Sequence, residues 1–432
     1  MDILFKNITA VTMDAQNPVL TNVNIGITGR KISYIADASI PPPTASRTIS
    51  GTGKVLMPGL YNCHTHAPMA MFRGYANDRD LEDWLFNYIF PAEKKWTPEL
   101  MRVGTDLALA EMIASGTISF TDMYSYTIAE AADEAGMLAN ICDAIITFDE
   151  DNFDFHKTVA YQQAIPAIER YHNKGDERIK IETSIHGVYT SFPSAWKQVM
   201  DFAHKYKLGM HVHLSETKTE HENCIAKYGM TPAQVFNRHG VFDVPTLAAH
   251  AVWVTDEDIE ILAKKSVTVA HNPISNLKLA SGLAPVQKMI TAGVNVTVGT
   301  DGVASNNSHD LFEELKMASL LQKYAAGDPT ALPAFDTLAM ATLNGAKAQG
   351  RSHESGIIKE GYDADILLMD FDNPHQTVCY DPILNLAYST NGRDVEMTIC
   401  RGKVLYEKGE FKTIDIERTL HDARKAKEIF IN

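Results

Sequence analysis

Both ends of the chain alternate apolar and polar residues, a pattern typical of half-buried β-strands. The alternating runs are residues 3–7, 24–32, 364–369 and 397–405. Turn residues between the runs predict short antiparallel strands. Because the two ends share this alternating pattern, we predict one small β-sandwich domain formed from residues 1–57 and 361–432. Within it, the charged tail at 415–432 is predicted to be helical.

The middle of the chain instead alternates strand-like apolar runs with helix-like stretches. The eight predicted strands are a run ending at His66 and residues 118–124, 138–146, 179–189, 208–214, 246–253, 267–272 and 295–300. The predicted helices include a run from Thr97, as its N-cap, to Gly116 and residues 195–206, 219–229, 255–264, 283–292 and 309–325. Strands that alternate with helices pair in parallel, so we predict an α/β fold with a TIM-type (β/α)8 barrel over residues 58–360.

Composition and charge narrow the classes of function. The 432 residues are 45% hydrophobic and carry a net charge of −15, which disfavours nucleic acid and anionic membranes as partners. No apolar run approaches the length of a membrane span, and no secretory pattern opens the chain. The five scattered cysteines form no Cys-x-x-Cys pair, so we expect reduced thiols in a cytoplasmic protein. A small molecule is the expected partner.

Histidines and one aspartate stand where the predicted barrel strands end, which is where barrel enzymes carry their chemistry. They are His64 and His66 on strand 1, His186 on strand 4, His211 and His213 on strand 5, His250 on strand 6, His271 on strand 7 and Asp301 on strand 8. Taken singly, a barrel histidine is more often a hydrogen-bonded core residue, and an aspartate before glycine is usually a turn residue. Their joint occurrence predicts a metal site.

His64 and His66 lie one residue apart on a strand, so both imidazoles point to the same face and can bind one ion. Three histidines and one carboxylate form a suitable site for zinc. We therefore assign His64, His66, His213 and Asp301 as ligands of one Zn²⁺ per subunit. His211 is the alternative to His213, because both residues lie on the same face of strand 5.

The other polar residues receive roles by chemical type. Asp301 can accept a proton from water while it touches the metal, and His250 can orient or polarise that water. Glu216, three residues beyond His213, can carry a proton to a ring nitrogen of the substrate. The sequence therefore predicts a metal-dependent hydrolase with Glu216, His250 and Asp301 as catalytic residues.

At these residues the chain resembles the amidohydrolase superfamily, and within it the methylthioadenosine/S-adenosylhomocysteine deaminases, whose relatives include triazine chlorohydrolases and guanine deaminases. The resemblance spans essentially the whole chain. The segments that carry it are Pro58-Gly59-Leu60 through His64-Thr65-His66, His211-Val212-His213-Leu214-Ser215-Glu216, Ala249-His250, His271-Asn272-Pro273 through Ser275-Asn276, and Gly299-Thr300-Asp301-Gly302. It implies zinc at His64, His66 and His213, with Asp301 against metal and substrate, and a homo-oligomer.

The resemblance also implies a substrate pocket. Glu216 and His186 would contact a purine, Glu93 would bind ribose, and Trp84 would be an aromatic residue of the same loop. Without the resemblance, we would interpret Glu93 as a solvated carboxylate of a loop and Trp84 as an aromatic residue that packs within that loop. Related barrels often hold a second metal on a carboxylated lysine at the end of strand 4. His186 stands at that level here, which favours a single metal.

The implied reaction is the hydrolytic deamination of an adenine nucleoside. An activated water attacks C6, Glu216 protonates N1, and ammonia leaves an inosine analogue. One departure from the family affects the substrate. The family often places an arginine after strand 3, but none lies between Asp143 and Glu169, which disfavours the charged tail of S-adenosylhomocysteine. Adenosine, 5′-deoxyadenosine, methylthioadenosine and a free base stay open.

Two other functions are alternatives to this prediction. The first is an aminohydrolase or chlorohydrolase on the same barrel that acts on guanine, an oxidised purine or a triazine. The second is a non-catalytic scaffold, which the complete set of predicted ligands disfavours.

Overall fold

The structure, a computed structural model, describes residues 1–79 and 81–431. The strands, in chain order, are β1 (Ile3–Val11), β2 (Val19–Thr28), β3 (Lys31–Asp37), β4 (Arg47–Ser50), β5 (Lys54–Pro58), β6 (Leu60–Thr65), β7 (Thr117–Met123), β8 (Leu138–Cys142), β9 (Ala144–Ile145), β10 (Ile179–Ile181), β11 (Thr183–Ile185), β12 (Met210–Leu214), β13 (Thr246–His250), β14 (Thr268–His271), β15 (Asn295–Val298), β16 (Ile366–Asp370), β17 (Val395–Cys400), β18 (Lys403–Glu407) and β19 (Glu410–Phe411). All eight strand positions predicted for the middle of the chain contain strands.

Helices occupy every position where the sequence predicts one. The α-helices are α1 (Leu81–Asp83), α2 (Phe90–Glu93), α3 (Pro98–Ala114), α4 (Ile128–Ala135), α5 (Val159–Arg170), α6 (Pro193–Tyr206), α7 (Lys218–Tyr228), α8 (Pro232–Arg238), α9 (Asp256–Lys264), α10 (Pro273–Lys278), α11 (Val286–Thr291), α12 (Leu311–Ala326), α13 (Ala334–Ala341), α14 (Leu343–Ala348), α15 (Pro382–Tyr388) and α16 (Ile416–Ile431). The 3₁₀ turns are Ala67–Phe72, Phe155–Lys157, Val241–Asp243 and Gly392–Asp394, and Trp84–Ile89 forms a π-helical turn. Within the described ranges, every helix is too short or too polar to cross a bilayer.

The strands of the two chain ends form one nine-stranded sheet in the order β19-β18-β17-β16-β5-β1-β2-β3, with β4 paired to β1. β1, β2 and β3 pair antiparallel, as the alternation predicts, and β5 pairs with β16 so that Leu56 faces Leu368. β4 and β5 run parallel to β1, which corrects the prediction of antiparallel strands throughout. β2 and β3 each reverse the direction of the chain, so β3 runs in the direction of β1. After a further loop the chain returns to the sheet, and β4 runs in that same direction. The sandwich arrangement and the domain boundaries stay predictions.

The strands of the middle region all pair in parallel, in two sheets ordered β10-β8-β7-β6 and β15-β14-β13-β12-β11-β9. Asp143 alone separates β8 from β9, and Glu182 alone separates β10 from β11. The same two stretches of chain therefore continue from one sheet into the other. Parallel pairing requires a crossover between successive strands, and helices supply most of these crossovers. The α/β class of this region is confirmed.

Contacts between β15 and β6 bring together the two ends of this strand series. The backbone nitrogen of Asp301, just past β15, donates a hydrogen bond to the carbonyl oxygen of His64 on β6 at 2.9 Å. Gly299 lies against the same strand, and a Cβ atom at this position would sit 2.7 Å from the His64 nitrogen. Only glycine allows this close approach. His64 and Asp301 are thereby fixed side by side.

The segment between β6 and α3 is helical, whereas the sequence analysis treated it as a loop. Within it, α1, the π-helical turn and α2 follow one another from Leu81 to Glu93. Trp84 is buried in an apolar cluster that also contains Phe72 and, from α16, Phe430. α3 then begins after Thr97, whose hydroxyl accepts a hydrogen bond from the Leu100 nitrogen at 3.2 Å, as the predicted N-cap requires. Apolar packing therefore holds this segment in place.

Candidate active site

His64 of β6, His66 directly after β6 and the aspartate after β15 meet at one point. The Nε2 atoms of His64 and His66 each lie 3.2 Å from Oδ1 of Asp301. Cys63, between Tyr61 and His64, is buried and lies near Gly345 of α14, on the side of β6 that faces this helix. The alternation of side chains along β6 therefore gathers the imidazoles on one face and turns the thiol away.

His213 and His250 complete a cluster of four imidazoles. The ring centroid of His64 lies 5.0 Å from that of His213 and 5.4 Å from that of His250. Two overlapping sets of potential ligand atoms, each within 4.8 Å of one another, share His64: one with His213 and His250, the other with His66 and Asp301. All five side chains can thus face a single ion.

The outer ring nitrogens of these histidines are already engaged. Nδ1 of His66 lies 2.9 Å from the carbonyl oxygen of Met123, and Nδ1 of His213 lies 2.8 Å from the carbonyl oxygen of His186. A ring nitrogen beside a carbonyl oxygen must carry the proton, so Nε2 keeps its lone pair for a metal. This arrangement is the usual support for a ligating histidine.

His64 supplies the most direct test of whether a metal fits here. Its Nε2 atom is buried and has no hydrogen-bond partner, although Asp301 is close. Burial lowers the pKa of His64 to about 4, and it lowers the pKa of His213 well below its usual value, so both rings are neutral as ligands must be. An unpartnered buried nitrogen beside a carboxylate and neutral imidazoles is the chemistry of a divalent metal site.

His211, the sequence alternative to His213, lies behind the cluster. Its Nε2 atom is 3.0 Å from Nδ1 of His64, and its Nδ1 atom is 3.8 Å from Sγ of Cys142. It belongs to neither set of potential ligand atoms. The geometry therefore makes His211 a support for His64 and favours His213 as the strand 5 ligand.

Asp301 is held by contacts on both oxygens. Oδ1 accepts a hydrogen bond from the Gly302 nitrogen at 2.8 Å, and Oδ2 accepts from the hydroxyls of Ser275 and Ser305 at 2.7 and 3.0 Å. Burial alone would raise its pKa, but the neighbouring histidines hold it well below the usual range. Its backbone φ of 64° is unusual for a residue with a side chain, and such strain is typical of functional sites.

Glu216 follows β12 and stands next to the imidazole cluster. One carboxylate oxygen lies 3.9 Å from Nε2 of His250, and the other accepts a hydrogen bond from the Ser281 hydroxyl at 3.4 Å. Its backbone nitrogen donates to Glu220 at 2.7 Å. Burial raises the pKa of Glu216, which makes proton transfer near neutral pH easier.

One cavity of about 260 Å³ brings together all five residues that the sequence analysis assigned to substrate binding, namely Trp84, Glu93, His186, Glu216 and Asp301. His66, His213 and His250 also line it. Its apolar wall includes Met69, Leu81, Leu85, Phe90, Ile146 and Leu279. The possible metal site therefore opens into a chamber of mixed character, as small-molecule sites usually do.

Glu93 is a half-buried carboxylate with a defined partner. It accepts a hydrogen bond from the hydroxyl of Tyr124 at 2.5 Å, and Nε1 of Trp96 donates to the same hydroxyl at 2.6 Å. Burial raises the pKa of Glu93. The sequence analysis missed Tyr124 and Trp96. Tyr124 stands one residue past β7, so the strand-end rule that identified the histidines could have found it.

His271 and Asp143 depart from the sequence analysis in opposite ways. His271 ends β14 as predicted, but both of its ring nitrogens are buried without a hydrogen-bond partner, and it belongs to neither set of potential metal ligands. Asp143 was used only to mark a stretch without arginine, yet it lines the cavity.

A sequence model of the amidohydrolase family matches residues 55–405. The 5-methylthioadenosine/S-adenosylhomocysteine deaminase of Caldanaerobacter subterraneus subsp. tengcongensis is 42% identical to this chain over 427 residues, which cover 98% of each protein. The 5′-deoxyadenosine deaminase of Methanosarcina acetivorans is 42% identical over 432 residues, which cover 99% of this chain and 98% of the relative.

Solved structures are similar over the same extent. The crystal structure of an adenosine deaminase from Xanthomonas campestris with bound zinc is 30% identical, with a TM-score of 0.93, and the match covers 99% of this chain and 98% of that one. An atrazine chlorohydrolase from Arthrobacter aurescens TC1, crystallised with zinc, is 26% identical, with a TM-score of 0.88 over 98% and 100% of the two chains. The chain described here belongs to the amidohydrolase family.

Proposed function

We propose that this chain is a metal-dependent hydrolase that deaminates an adenine nucleoside to the inosine analogue and ammonia. The observation that carries the proposal is that Glu216 opens into the same cavity as His66, His213, His250 and Asp301. A proton-carrying carboxylate thus stands beside a group of residues suited to a metal. The identity of 42% to two adenine nucleoside deaminases over nearly the whole chain supports the same reaction.

His64, His66, His213 and Asp301 are the proposed ligands of one zinc ion per subunit. Nitrogen and carboxylate donors in this number suit zinc, and two similar structures were crystallised with it. When bound, such an ion lowers the pKa of a water molecule and makes a nucleophile available at neutral pH. We assign the positioning of that water to two residues: Asp301, which is also a proposed ligand, and His250, whose imidazole is not.

The protein side chains then manage the protons. Asp301 accepts a proton as oxygen adds to C6 of the purine, and Glu216 delivers a proton to N1. As the C6–nitrogen bond breaks, the proton held by Asp301 passes to the amino group, which leaves as ammonia. The hydroxyl proton at C6 returns to Glu216, and C6 becomes a carbonyl carbon. The raised pKa of Glu216 suits a proton donor, and the lowered pKa of Asp301 keeps that carboxylate ionised beside the metal ligands.

Glu93 is the proposed ligand of the ribose hydroxyls, and His186 and Trp84 are proposed to contact the nucleoside. The carboxylate of Glu93 lines the cavity and is oriented by Tyr124. Nδ1 of His186 lies 3.0 Å from the Thr190 hydroxyl, so the ring has a fixed orientation. These contacts would place the base towards Glu216 and the ribose towards Glu93.

We also propose that the eight parallel strand positions close into one barrel and that residues 1–57 and 361–432 form the smaller β-domain. The hydrogen bond between the Asp301 nitrogen and the His64 carbonyl supports closure. The continuous pairing of β5 with β16 supports a unit made from both chain ends. Assembly into a homo-oligomer stays a prediction from the family resemblance.

A substrate panel tests the proposed reaction. Zinc-loaded protein is assayed for ammonia release with adenosine, 5′-deoxyadenosine, methylthioadenosine and guanine, and for chloride release with atrazine. We expect the highest kcat/KM with an adenine nucleoside, together with the change in ultraviolet absorbance that accompanies conversion of adenine to hypoxanthine. Faster turnover of guanine or atrazine than of every nucleoside would overturn the proposal.

A further inference from the structure

The cavity proposed to take the nucleoside is lined by carboxylates but, among the residues that the structure describes, by no lysine or arginine. Its acidic residues are Glu93, Asp143, Glu216 and Asp301. Glu216 and Asp301 have roles in the proposed reaction, and Glu93 is hydrogen-bonded to Tyr124. Asp143 is the acidic residue that the proposed reaction does not use.

The position of Asp143 is fixed by the backbone on both sides. It separates β8 from β9, and its carbonyl oxygen accepts a hydrogen bond from the Ser184 hydroxyl at 2.9 Å. The next residue, Ala144, pairs with Ser184 of β11. Asp143 therefore lies within strand 3, just before its last segment β9, and comes in chain order between Tyr124 beyond strand 2 and His186 beyond strand 4.

The carboxylate of Asp143 has no cation to balance it. Burial raises its pKa to about 7, the Ala144 nitrogen lowers it and Asp122 raises it further; no cation of the described chain is among these influences. A half-buried, unpaired carboxylate attracts a positively charged group of a ligand and repels a negatively charged one.

We infer that Asp143 sets the charge preference for the 5′ substituent of the substrate. Nucleosides with an uncharged or cationic 5′ group are accepted, and those with a carboxylate in that group are rejected. The inference rests on the proposed function and narrows its substrate class.

The order of the strand ends gives the reason. Glu93 with Tyr124, then Asp143, then His186, then Glu216 follow one another around the cavity mouth. In the inferred binding mode, with the base at Glu216 and the ribose at Glu93, the 5′ substituent lies against Asp143, which lines the same cavity. The apolar neighbour Ile146, which is 41% exposed, adds a surface that suits a thioether or a methyl group.

Three 5′-thioether substrates that differ in charge test the inference. They are methylthioadenosine, 5′-(3-aminopropylthio)-5′-deoxyadenosine and 5′-(2-carboxyethylthio)-5′-deoxyadenosine. Each is assayed with the zinc-loaded full-length protein at about pH 8.5, where Asp143 is mostly ionised. We expect kcat/KM for the amine to exceed that for the carboxylate at least tenfold, a difference of about 1.4 kcal/mol.

Asp143→Asn removes the charge with almost no change in shape, so it separates the local effect from folding. We expect the amine-to-carboxylate ratio of kcat/KM to fall at least fivefold in this variant. In Asp143→Arg we expect the preference to reverse in favour of the carboxylate. Glu150→Gln is the matched control, because Glu150 is an exposed carboxylate of the loop that follows β9 and does not line the cavity.

The outcomes distinguish this inference from the proposed function. If none of the three nucleosides is deaminated, and adenosine and 5′-deoxyadenosine are not deaminated either, the proposed function fails. If only adenosine or 5′-deoxyadenosine reacts, the inference alone fails. If methylthioadenosine is deaminated but the carboxylate substrate reacts as well as the amine, or Asp143→Asn leaves their ratio unchanged, the inference alone fails. An equal fall of the ratio in Glu150→Gln would assign the preference to the overall charge of the protein and would also overturn it.

Discussion

Glu216→Gln is expected to slow turnover strongly while the metal stays bound. Gln keeps the size of the side chain and can still accept a hydrogen bond from Ser281, but it has no transferable proton. The side chain is buried, with 5% of the residue exposed, so bulk water has little access to replace it as a proton donor. Glu216 is absent from both sets of potential metal ligands, so its loss leaves those residues in place.

The size of the effect follows from what remains in the cavity. Asp301 is engaged by histidines and serines, and Glu93 accepts a hydrogen bond from Tyr124, so neither is placed to act for Glu216. Loss of a general acid–base group costs about 10²- to 10⁴-fold in rate. This range corresponds to about 2.7 to 5.5 kcal/mol on the activation barrier.

The assay measures kcat with methylthioadenosine and the zinc content of the same preparation. Glu220→Gln is the matched control: Glu220 is also buried, and its carboxylate accepts a hydrogen bond from the Glu216 nitrogen, which an amide oxygen can still do. We expect the control to lose less than about tenfold, because it only positions Glu216. A kcat for Glu216→Gln within tenfold of the unmodified protein, at normal zinc content, would refute the proton-transfer role.

Three further predictions concern the metal, the ribose and the fold. His66→Ala is expected to abolish stable zinc binding, because it removes one of the proposed histidine ligands; full zinc occupancy by elemental analysis would contradict the assignment. Glu93→Gln is expected to reduce kcat/KM for nucleosides about tenfold or more but to spare free adenine; equal losses on both would mean that Glu93 does not touch ribose. Thr97→Ala is expected to cost about 1 kcal/mol of unfolding free energy, since the hydroxyl caps α3. An unchanged denaturation midpoint would show that this cap contributes little.

Local patterns predicted most of the secondary structure because short-range physics determines it here. The N-cap at Thr97 and the parallel strands from β6 to β15 follow from capping chemistry and apolar runs. The direction of β4 did not follow, because it depends on where the chain re-enters the sheet. The helical segment from Leu81 to Glu93 was missed because its stability comes from packing against distant residues such as Phe430.

The residues of the candidate site could likewise be predicted only in part. The sequence alone identified the residues that meet at the strand ends. His64 and His66 are two positions apart, and alternation along a strand places both side chains on the same face. It left His211 and His213 as alternatives, because both have the same parity, and only depth along the strand separates them. Asp143 carried no motif, and its place on the cavity wall depends on the pairing of β9 with β11, which local sequence does not reveal.

The central claim is a single metal ion held by imidazoles and one carboxylate, and X-ray absorption spectroscopy of the zinc-loaded protein tests it most directly. We predict one zinc per chain with nitrogen and oxygen ligands at about 2.0–2.2 Å, of which three are imidazoles, and no sulfur ligand. A spectrum with sulfur ligands at about 2.3 Å, or a protein that retains no zinc after dialysis yet deaminates nucleosides at full rate, would contradict the account.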